Sequence, residues 1–505
     1  MKGRFSRMAG YGAGDIYGGG AFILSSLLYL NFLTDIEFIL PVLAGIIVFV
    51  GKVWDAVTDP FMGWLSDRTK SRFGRRGVYF LFGSIPVAIS FAMLWFSFGI
   101  PSMAGRFIYH LFANMFFSTA FTVVMVPYNS VLPEMESDYN ERTLFTSFRM
   151  IFSMGASILC AVLPALIRDA VPASPQIQYL VMGLPFALLF GLCWLAVYAS
   201  SRRAERTRAA AQGATAEQVY SPGSDATLTE AAESSQARPS IFASLSSTLR
   251  NRAFRLYLGM FLLGQGSVDI ILALFVYYLT SYLGRPGEYS AILGVLLVFQ
   301  LLGLPFYTPF ARRYGKTFPM LIGIPLGIVA MLLALFTGPQ SHPLFVYLFA
   351  ALGGFGFAVC TLVPFSILPD IPDVDELISG KRREGLYAGM ATFSRKLVNG
   401  ISVAVAALVL QFSGYIAAAE TQSQTALWGI RLAFSLVPIG MLLGTFIISR
   451  LYHLGPTEHA ALLSVLNARR GAAEQGLAGT TVSETLDPAM RRTLADIAGI
   501  KESEL

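Results

Sequence analysis

Long apolar segments separated by short polar connections run through most of the chain. An apolar segment of about 20 residues is long enough to cross the hydrocarbon of a bilayer as a helix. The pattern predicts twelve such helices, called spans 1 to 12 below, near 10–33, 38–65, 78–99, 105–132, 143–167, 178–200, 254–281, 289–310, 318–337, 343–369, 385–412 and 425–451. We therefore expect an all-α membrane protein.

A polar stretch rich in Ala and Ser separates the sixth span from the seventh. This composition is typical of a flexible linker, so it divides the spans into two sets of six. We predict an N-terminal six-helix bundle at 1–200, a cytoplasmic linker at 201–253, a C-terminal bundle at 254–451 and a cytoplasmic tail at 452–505.

Two short motifs recur in the same order in the two sets of spans. VPYNSVLPEM ends span 4 and VPFSILPDI ends span 10, while SRFGRR follows span 2 and ARRYGKT follows span 8. A repeat spaced by half the chain indicates a parallel duplication, for which the expected binding site lies at the interface of the two halves. The alternative is a chance match of Pro-rich loops.

Composition and charge agree with a membrane protein. The chain is 54% hydrophobic and 13% charged, and its formal net charge is +6. Basic residues cluster in the connections after spans 2, 6, 8 and 10, which predicts that these connections and both termini are cytoplasmic. This topological signal accounts for the excess of positive charge without a nucleic-acid partner. The first apolar segment lacks a small-residue cleavage site, so we expect no removable signal peptide.

Span 2 contains two acids at helical spacing. In KVWDAVTDP, Asp55 and Asp59 lie one turn apart, and Lys52 falls on the same stripe of the helix. An ionised carboxylate is costly inside a bilayer and is by default a functional residue there. Two carboxylates with nearby hydroxyl or carbonyl oxygens suit a small hard cation such as Na+, or a shared proton. The alternative is a structural ion pair with Lys52.

The duplicated plan and the basic loop after span 2 resemble the major facilitator superfamily. The loop has the form GxxxDRxxxRxGRR, with Gly63, Asp67, Arg68, Arg72, Gly74, Arg75 and Arg76. WDAVTDPFMGWLSDRTKSRFGRR, VPYNSVLPEM, SILPDIPDVDE and the Lys in TFSRKLVNG are similar to the glycoside-pentoside-hexuronide cation symporters. The resemblance implies two six-helix bundles in the inner or plasma membrane. It also implies a monomer that transports a sugar or glycoside with Na+ or H+ by alternating access, without a cofactor.

The resemblance also implies roles for individual residues. The cation would be held by Asp55, Asp59, Thr58 and Thr122. Contacts to solute, or support of its cavity, fall to Asp15, Arg149 and Lys396, with Asn129, Tyr128 and Thr361 as further candidates. A cytoplasmic gate would use Asp67, Arg68, Arg75 and Arg76. The alternatives are a purely structural Asp15–Arg149 pair and a loop that only sets topology.

Departures from the family pattern bear on the solute. Met125 stands where the family has a sugar-binding acid, Asn129 and Thr361 stand where it has aromatic residues, and Gly14 replaces a Lys. The loss of sugar-type aromatic residues keeps open a cation-dependent transporter of lysophospholipid or another lipid.

Three further observations concern polar residues in the spans. Asp269 and Gln265 in span 7 would either line the cavity or form an internal hydrogen bond, and His110 is predicted to be a packing or interfacial histidine. GAGD at 12–15 matches a pattern of intramembrane aspartyl proteases, but the chain has no Tyr-Asp dipeptide to complete it. We therefore expect no enzyme.

Overall fold

The computed structural model describes residues 2–69, 71–135, 139–211, 248–379, 383–417, 419, 421–474 and 488–499. Spans 1 to 6 are helices Lys2–Gly12 with Gly14–Leu24, Pro41–Arg68, Gly77–Met93, Met103–Met135, Tyr139–Asp169 and Pro175–Ala211. Spans 7 to 12 are helices Arg252–Tyr277, Tyr289–Tyr314, Phe318–Phe336, Pro343–Ile367, Glu384–Phe412 and Gln424–Leu451. No strand occurs in these described ranges, which confirms the all-α membrane fold.

Spans 1 and 3 differ from the other ten spans, because neither is a single long apolar helix. Ten helices of the described chain are long and apolar enough to cross a membrane, and span 3 has only 17 residues. Span 1 is interrupted at Ala13 and ends in two π-helical turns, Ser25–Tyr29 and Phe32–Ile36. Span 7 also ends in a π-helical turn, Tyr278–Tyr282. The first span of each repeat therefore ends in the same way.

Glycines in span 1 allow it to pack closely on spans 4 and 5. A β-carbon on Gly14 would lie 2.8 Å from the ring of Tyr128, and one on Gly20 would lie 2.8 Å from Cys160 Sγ. Any larger side chain at these positions would push the helices apart. The close approach brings span 1 within reach of polar side chains on both neighbours.

The described residues fall into two compact units. The first contains those of Met1–Gln236, Leu272–Gly294 and Val403–Ile430. The second contains those of Ala237–Ile271, Val295–Ser402 and Arg431–Leu505.

A polar network in the first unit surrounds Asp35, on the side predicted to be opposite the basic connections. Its carboxylate accepts hydrogen bonds from Asn31 Nδ2 at 2.7 Å, Thr34 Oγ1 at 2.8 Å and the Tyr415 hydroxyl at 2.7 Å. The hydroxyl of Tyr277 lies 2.7 Å from that of Thr34, and both residues are fully buried. The network, called the Asp35 network below, joins the ends of spans 1 and 7 to the connection after span 11.

His110 is fully buried beside the connection between spans 1 and 2. Its Nε2 lies 3.7 Å from the carboxylate of Glu37, which also accepts a hydrogen bond from Ser97 at 2.9 Å. The rings of Tyr29 and Phe32 pack against the imidazole. These surroundings are those of a packing histidine near the end of a span.

Each repeat connects its basic loop to the end of its fourth helix. In the first unit, Arg76 donates a hydrogen bond to the carbonyl of Ser130 at the end of span 4. In the second unit, Lys316 pairs with both carboxylate oxygens of Asp370, just after span 10, at 2.6 and 2.7 Å. In both repeats a basic residue of this loop thus reaches the end of the fourth helix, through a backbone carbonyl in one and a carboxylate in the other, which supports the duplication indicated by the sequence.

Two further helices of the second unit follow span 12. They cover Pro456–Glu474 and Pro488–Ala498 and pack against the short helix Ile371–Ser379. His459 Nε2 lies 3.2 Å from Asp373 Oδ2 in this contact. These described parts of the tail are therefore anchored to the connection after span 10.

Candidate functional site

Span 2 separates its acids from its large apolar side chains. Asp55 is buried and Asp59 is half-buried, whereas Trp54, Val57 and Phe61 are exposed on the surface of the helix. Exposed apolar side chains on a membrane span are suited to contact with lipid. The two acids therefore face the protein interior, as the helical spacing predicts.

Thr122 of span 4 lies against both acids. Its Oγ1 is 2.6 Å from Asp55 Oδ1 and 2.8 Å from Asp59 Oδ1. Both distances are within the range of strong O–H···O hydrogen bonds. The structure thus places one hydroxyl and two carboxylates, all three predicted from the sequence, at a single point.

A ladder of hydrogen bonds sets the register of spans 2 and 4. Asn114 Nδ2 donates to the carbonyl of Ile47 at 2.8 Å, and Ser118 donates to the carbonyl of Gly51 at 3.1 Å. Thr122 meets Asp55 one turn further along. Sequence reasoning missed Asn114 and Ser118, although Asn114, Ser118 and Thr122 follow one another at steps of four residues and so mark one polar face of an otherwise apolar helix.

Gly51 makes this ladder possible, because a β-carbon there would overlap the side chain of Asn114. We expect Gly51→Val to push span 2 away from span 4, destabilise the protein by about 1–3 kcal/mol and separate Thr122 from both acids. The purified protein is titrated with the cation while its melting temperature is recorded, and the variant should respond to the cation at least about tenfold more weakly than the wild type. Gly155→Val is the matched control, since a β-carbon at Gly155 meets nothing within 4 Å. An unchanged titration of Gly51→Val would contradict the expectation.

Thr58 and Lys52 flank the acids. Thr58 is half-buried, and its hydroxyl donates to the backbone carbonyl of Asp55, one turn earlier in the same helix, at 3.2 Å. The ammonium of Lys52 lies 5.4 Å from the centre of the Phe22 ring on span 1. This cation–π contact directs Lys52 toward span 1.

Asp15 and Arg149 form a buried ion pair between spans 1 and 5. Arg149 Nε donates to Asp15 Oδ2 at 2.6 Å, and the exposed fraction of the Asp15 side chain is 7%. The guanidinium lies 4.7 Å from the centre of the Tyr128 ring. Tyr128 is itself fully buried and donates to the carbonyl of Tyr11 at 2.9 Å. The ring therefore acts as a platform beneath Arg149.

The remaining predicted solute residues are distributed over both units. In the first, Asn129 is exposed at the end of span 4, and Met125 is buried one turn earlier. In the second, Lys396 is half-buried on span 11, and Thr361 accepts a hydrogen bond from Gln265 at 3.3 Å.

Arg395, which the sequence interpretation passed over, pairs with Asp269 in the second unit. Its two terminal nitrogens donate to the two carboxylate oxygens of Asp269 at 2.6 and 2.9 Å. One of them also donates to Gln265 Oε1 at 3.3 Å. Of the two expectations for Asp269 and Gln265, an internal hydrogen-bond network is present, and it extends through Gln265 to Thr361.

The gate candidates lie at the end of span 2 and in the loop after it. Arg76 is buried against span 4, Arg75 is exposed, and the guanidinium of Arg68 lies 4.5 Å from the centre of the Trp64 ring. The side chain of Asp67 lies outside the described residues.

The family model for MFS/sugar transport proteins matches residues 10–225 and 222–455. The chain belongs to this family. The resemblance to the cation symporters of glycosides noted in the sequence is confirmed, and the protein is a multi-pass membrane symporter of the major facilitator superfamily, not an enzyme.

Related proteins extend over nearly the whole chain. An uncharacterized symporter of Synechocystis sp. is 30% identical, covering 92% of this chain and 97% of its own length. A sodium-dependent lysophosphatidylcholine symporter of Gallus gallus is 26% identical, covering 83% and 81%. A glucuronide carrier protein homolog of Escherichia coli is 24% identical, covering 94% and 98%.

Solved structures agree on the fold. The crystal structure of the nucleoside transporter NupG is similar with a TM-score of 0.56 at 13% identity, covering 89% of this chain and 99% of NupG. At this identity the likeness concerns the fold alone.

Proposed function

We propose that the family member couples the downhill movement of a monovalent cation, bound at Asp55, Asp59 and Thr122, to the uptake of a sugar or glycoside. The observation that carries the proposal is the position of the Thr122 hydroxyl within 2.8 Å of both carboxylates. Thr58, which precedes Asp59 in the chain and whose hydroxyl donates to the backbone carbonyl of Asp55, is the fourth proposed ligand.

The proton count at Thr122 explains why this arrangement calls for a cation. A hydroxyl carries one hydrogen, so it can donate to only one of the two acids. Two ionised carboxylates at these distances would leave one oxygen–oxygen contact without a hydrogen and would repel each other. A proton on one acid supplies the missing hydrogen, and Na+ among the same oxygens supplies the missing positive charge. Both ions suit the site, and each would be cargo that is released again.

Coupling follows from charge. A cation at the acid pair neutralises part of its charge and so favours the conformation that binds solute. By linkage, solute must tighten cation binding by the same factor. Alternating access around this pair then converts the ion gradient into accumulation of solute.

A glycoside is the favoured solute for two reasons. The matching family model describes sugar transport, and the name of the Escherichia coli relative refers to a glucuronide carrier. The Asp15–Arg149 pair above the Tyr128 ring offers an acceptor and a donor fork of the kind that hydroxyl groups require. The second candidate is a lysophospholipid, favoured by the Gallus gallus relative and by Met125 and Asn129 in place of sugar-type residues.

The basic loop is the proposed cytoplasmic gate. The contact of Arg76 with the end of span 4 supports this role, with Asp67, Arg68 and Arg75 as the other proposed members. The cytoplasmic side is assigned by the Arg- and Lys-rich connections, which also support cytoplasmic termini.

The test uses the full chain in proteoliposomes with an imposed Na+ or H+ gradient and a panel of neutral glycosides, glycuronides and lysophosphatidylcholine. We expect gradient-driven uptake of a glycoside by the wild type. Thr122→Ser, which keeps the hydroxyl, should keep most of it. Thr122→Val, which has the same shape without the hydroxyl, should raise the cation concentration for half-maximal uptake about 10-fold or more.

Each other outcome has a definite meaning. Equal cation dependence of the Ser and Val variants would remove Thr122 from the cation site. Gradient-driven uptake of lysophosphatidylcholine without uptake of any glycoside would establish the second candidate. Uptake of a glycoside that ignores both gradients would reject coupling.

A further inference from the structure

The second unit contains an Asp–Arg pair whose acid and base differ sharply in exposure. The side chain of Asp269 is 1% exposed and that of Arg395 is 18% exposed. Both lie deep within their spans, because about 16 Å of helix separate Arg395 from the start of span 11 and about 25 Å separate Asp269 from the start of span 7. An exposed guanidinium at this depth is far more stable against water than against lipid. We therefore expect the exposed part of Arg395 to face water.

This pair is the repeat counterpart of Asp15 and Arg149. In the first repeat the acid lies on the first span and the arginine on the fifth. In the second repeat Asp269 lies on span 7 and Arg395 on span 11, which are again the first and fifth spans. In both pairs the acid is nearly sealed and the arginine is the more exposed partner, at 7% and 21% in the first repeat. The duplicated fold thus carries the same pair twice.

Stability alone does not account for the second pair. A buried ion pair is often no more stabilising than apolar residues of the same volume, and charges inside membrane spans are retained mainly for function. Asn399, one turn after Arg395 on the same face of span 11, is buried, and its Nδ2 has no hydrogen-bond partner among the described residues. A buried donor without a partner destabilises the folded state, so this part of span 11 is not optimised for stability.

The charges around Arg395 indicate what kind of solute could bind there. The charges of Asp269 and Arg395 cancel, and the two other residues of this hydrogen-bonded network, Gln265 and Thr361, are neutral groups that both donate and accept hydrogen bonds. Solute hydroxyl groups also donate and accept. A solute carboxylate or phosphate would instead compete with Asp269 for the arginine and meet a like charge.

We propose that Arg395, positioned by Asp269 and Gln265, contacts solute directly and selects neutral hydroxylated solutes over anionic ones. This inference rests on the proposed function and names its solute class as neutral glycosides. Asp269 and Gln265 act as positioning residues that fix the plane of the guanidinium, and Thr361 completes the network.

The test compares solutes that differ at one group. Methyl glucosides carry CH2OH at carbon 6, and methyl glucuronides carry a carboxylate there. Gradient-driven uptake of each is measured in proteoliposomes of phosphatidylethanolamine and phosphatidylglycerol that contain the full chain purified without a sugar-based detergent. We expect the wild type to prefer the neutral member of each pair by about 10-fold or more.

Variants then separate solute contact from structural pairing. Arg395→Lys keeps the charge but loses the planar fork, so the KM for the neutral glucoside should rise about 10–100-fold. The maximal rate and the cation concentration for half-maximal uptake should change less than about 3-fold. Arg431→Lys is the matched control, because Arg431 is a half-buried arginine of span 12 that donates to the carbonyl of Leu335.

The charge-swapped double variant Asp269→Arg/Arg395→Asp distinguishes the two roles. It restores an ion pair, so its melting temperature should lie close to that of the wild type, while its KM should stay as high as that of Arg395→Lys. A wild-type KM in the swapped variant, or in Arg395→Lys, would show a structural pair and overturn the inference. A wild-type preference for the glucuronide would overturn it as well. If the wild type accumulates neither solute under any gradient, the proposed function fails first.

Discussion

Asp55→Asn is expected to abolish gradient-driven accumulation of solute and to reduce the accumulation ratio at least about 100-fold. The variant keeps the size of the side chain and an oxygen that Thr122 can still donate to, so the fold should persist. It removes one of the two negative charges on which affinity for a hard cation depends. It also removes a group that can hold a proton. The measurement is uptake into proteoliposomes with an imposed gradient, compared with solute exchange without a gradient.

Exchange without a gradient should survive in Asp55→Asn, because solute binding uses other residues. Asp59→Cys should behave in the same way, since the half-buried Asp59 makes the second contact to Thr122 at 2.8 Å. Glu288→Gln is the control for removal of a carboxylate, because Glu288 lies in a connection and pairs only with its neighbour Arg285 in the contacts described. Concentrative uptake by Asp55→Asn at the wild-type level would remove this residue from the coupling mechanism.

Arg149→Ala is expected to abolish transport and to destabilise the protein by about 3–5 kcal/mol. Removal of the guanidinium leaves the Asp15 carboxylate, with 7% of its side chain exposed, as a buried charge without its main partner. The double variant Asp15→Asn/Arg149→Gln removes both charges and should recover most of the melting temperature while uptake stays below about 1% of the wild type. Uptake and melting temperature are measured on the same preparations.

The double variant distinguishes an ion pair that only supports the fold from one that also takes part in transport. Recovery of both stability and uptake would show that Asp15 and Arg149 only support the fold. Recovery of stability alone would show that the pair also takes part in transport. Arg203→Ala serves as the control, since Arg203 is exposed on the same polypeptide half and donates a hydrogen bond to the Ser6 hydroxyl at 3.2 Å.

Helical spacing and family resemblance together predicted the residues that meet at the acid pair. The four-residue spacing of Asp55 and Asp59 places them on one face without any tertiary information, and the structure adds Thr122 at hydrogen-bond distance from both. The contacts of Asn114 and Ser118 with span 2 were not predicted. Each joins residues 67 positions apart, and periodicity within one helix does not report which face of a neighbour it meets.

The neighbours Arg395 and Lys396 show a second limit of a single sequence. Neighbouring positions on a helix point about 100° apart, so two adjacent basic residues face different surroundings. The resemblance pointed to Lys396, and the structure adds Arg395, which pairs with Asp269 and Gln265. The contact of Arg395 depends on the packing of span 7 against span 11, which periodicity within one helix does not report. The twelve spans, in contrast, depend on long apolar runs, and their central portions were predictable from the sequence alone.

The Asp35 network has a consequence for how easily the ends of spans 1 and 7 separate. The hydroxyl of Tyr277 meets that of Thr34 between these ends, and the Asp35 carboxylate accepts a hydrogen bond from Tyr415 of the connection after span 11. When such contacts part, water replaces each lost partner, so each hydrogen bond adds only about 0.5–1.5 kcal/mol to the cost of opening. When two packed apolar surfaces separate, water does not replace the lost contacts in this way, and the free-energy cost rises in proportion to the apolar area exposed. A contact made of hydrogen bonds like those of the Asp35 network costs little free energy to break and re-form, as a repeated transport cycle requires.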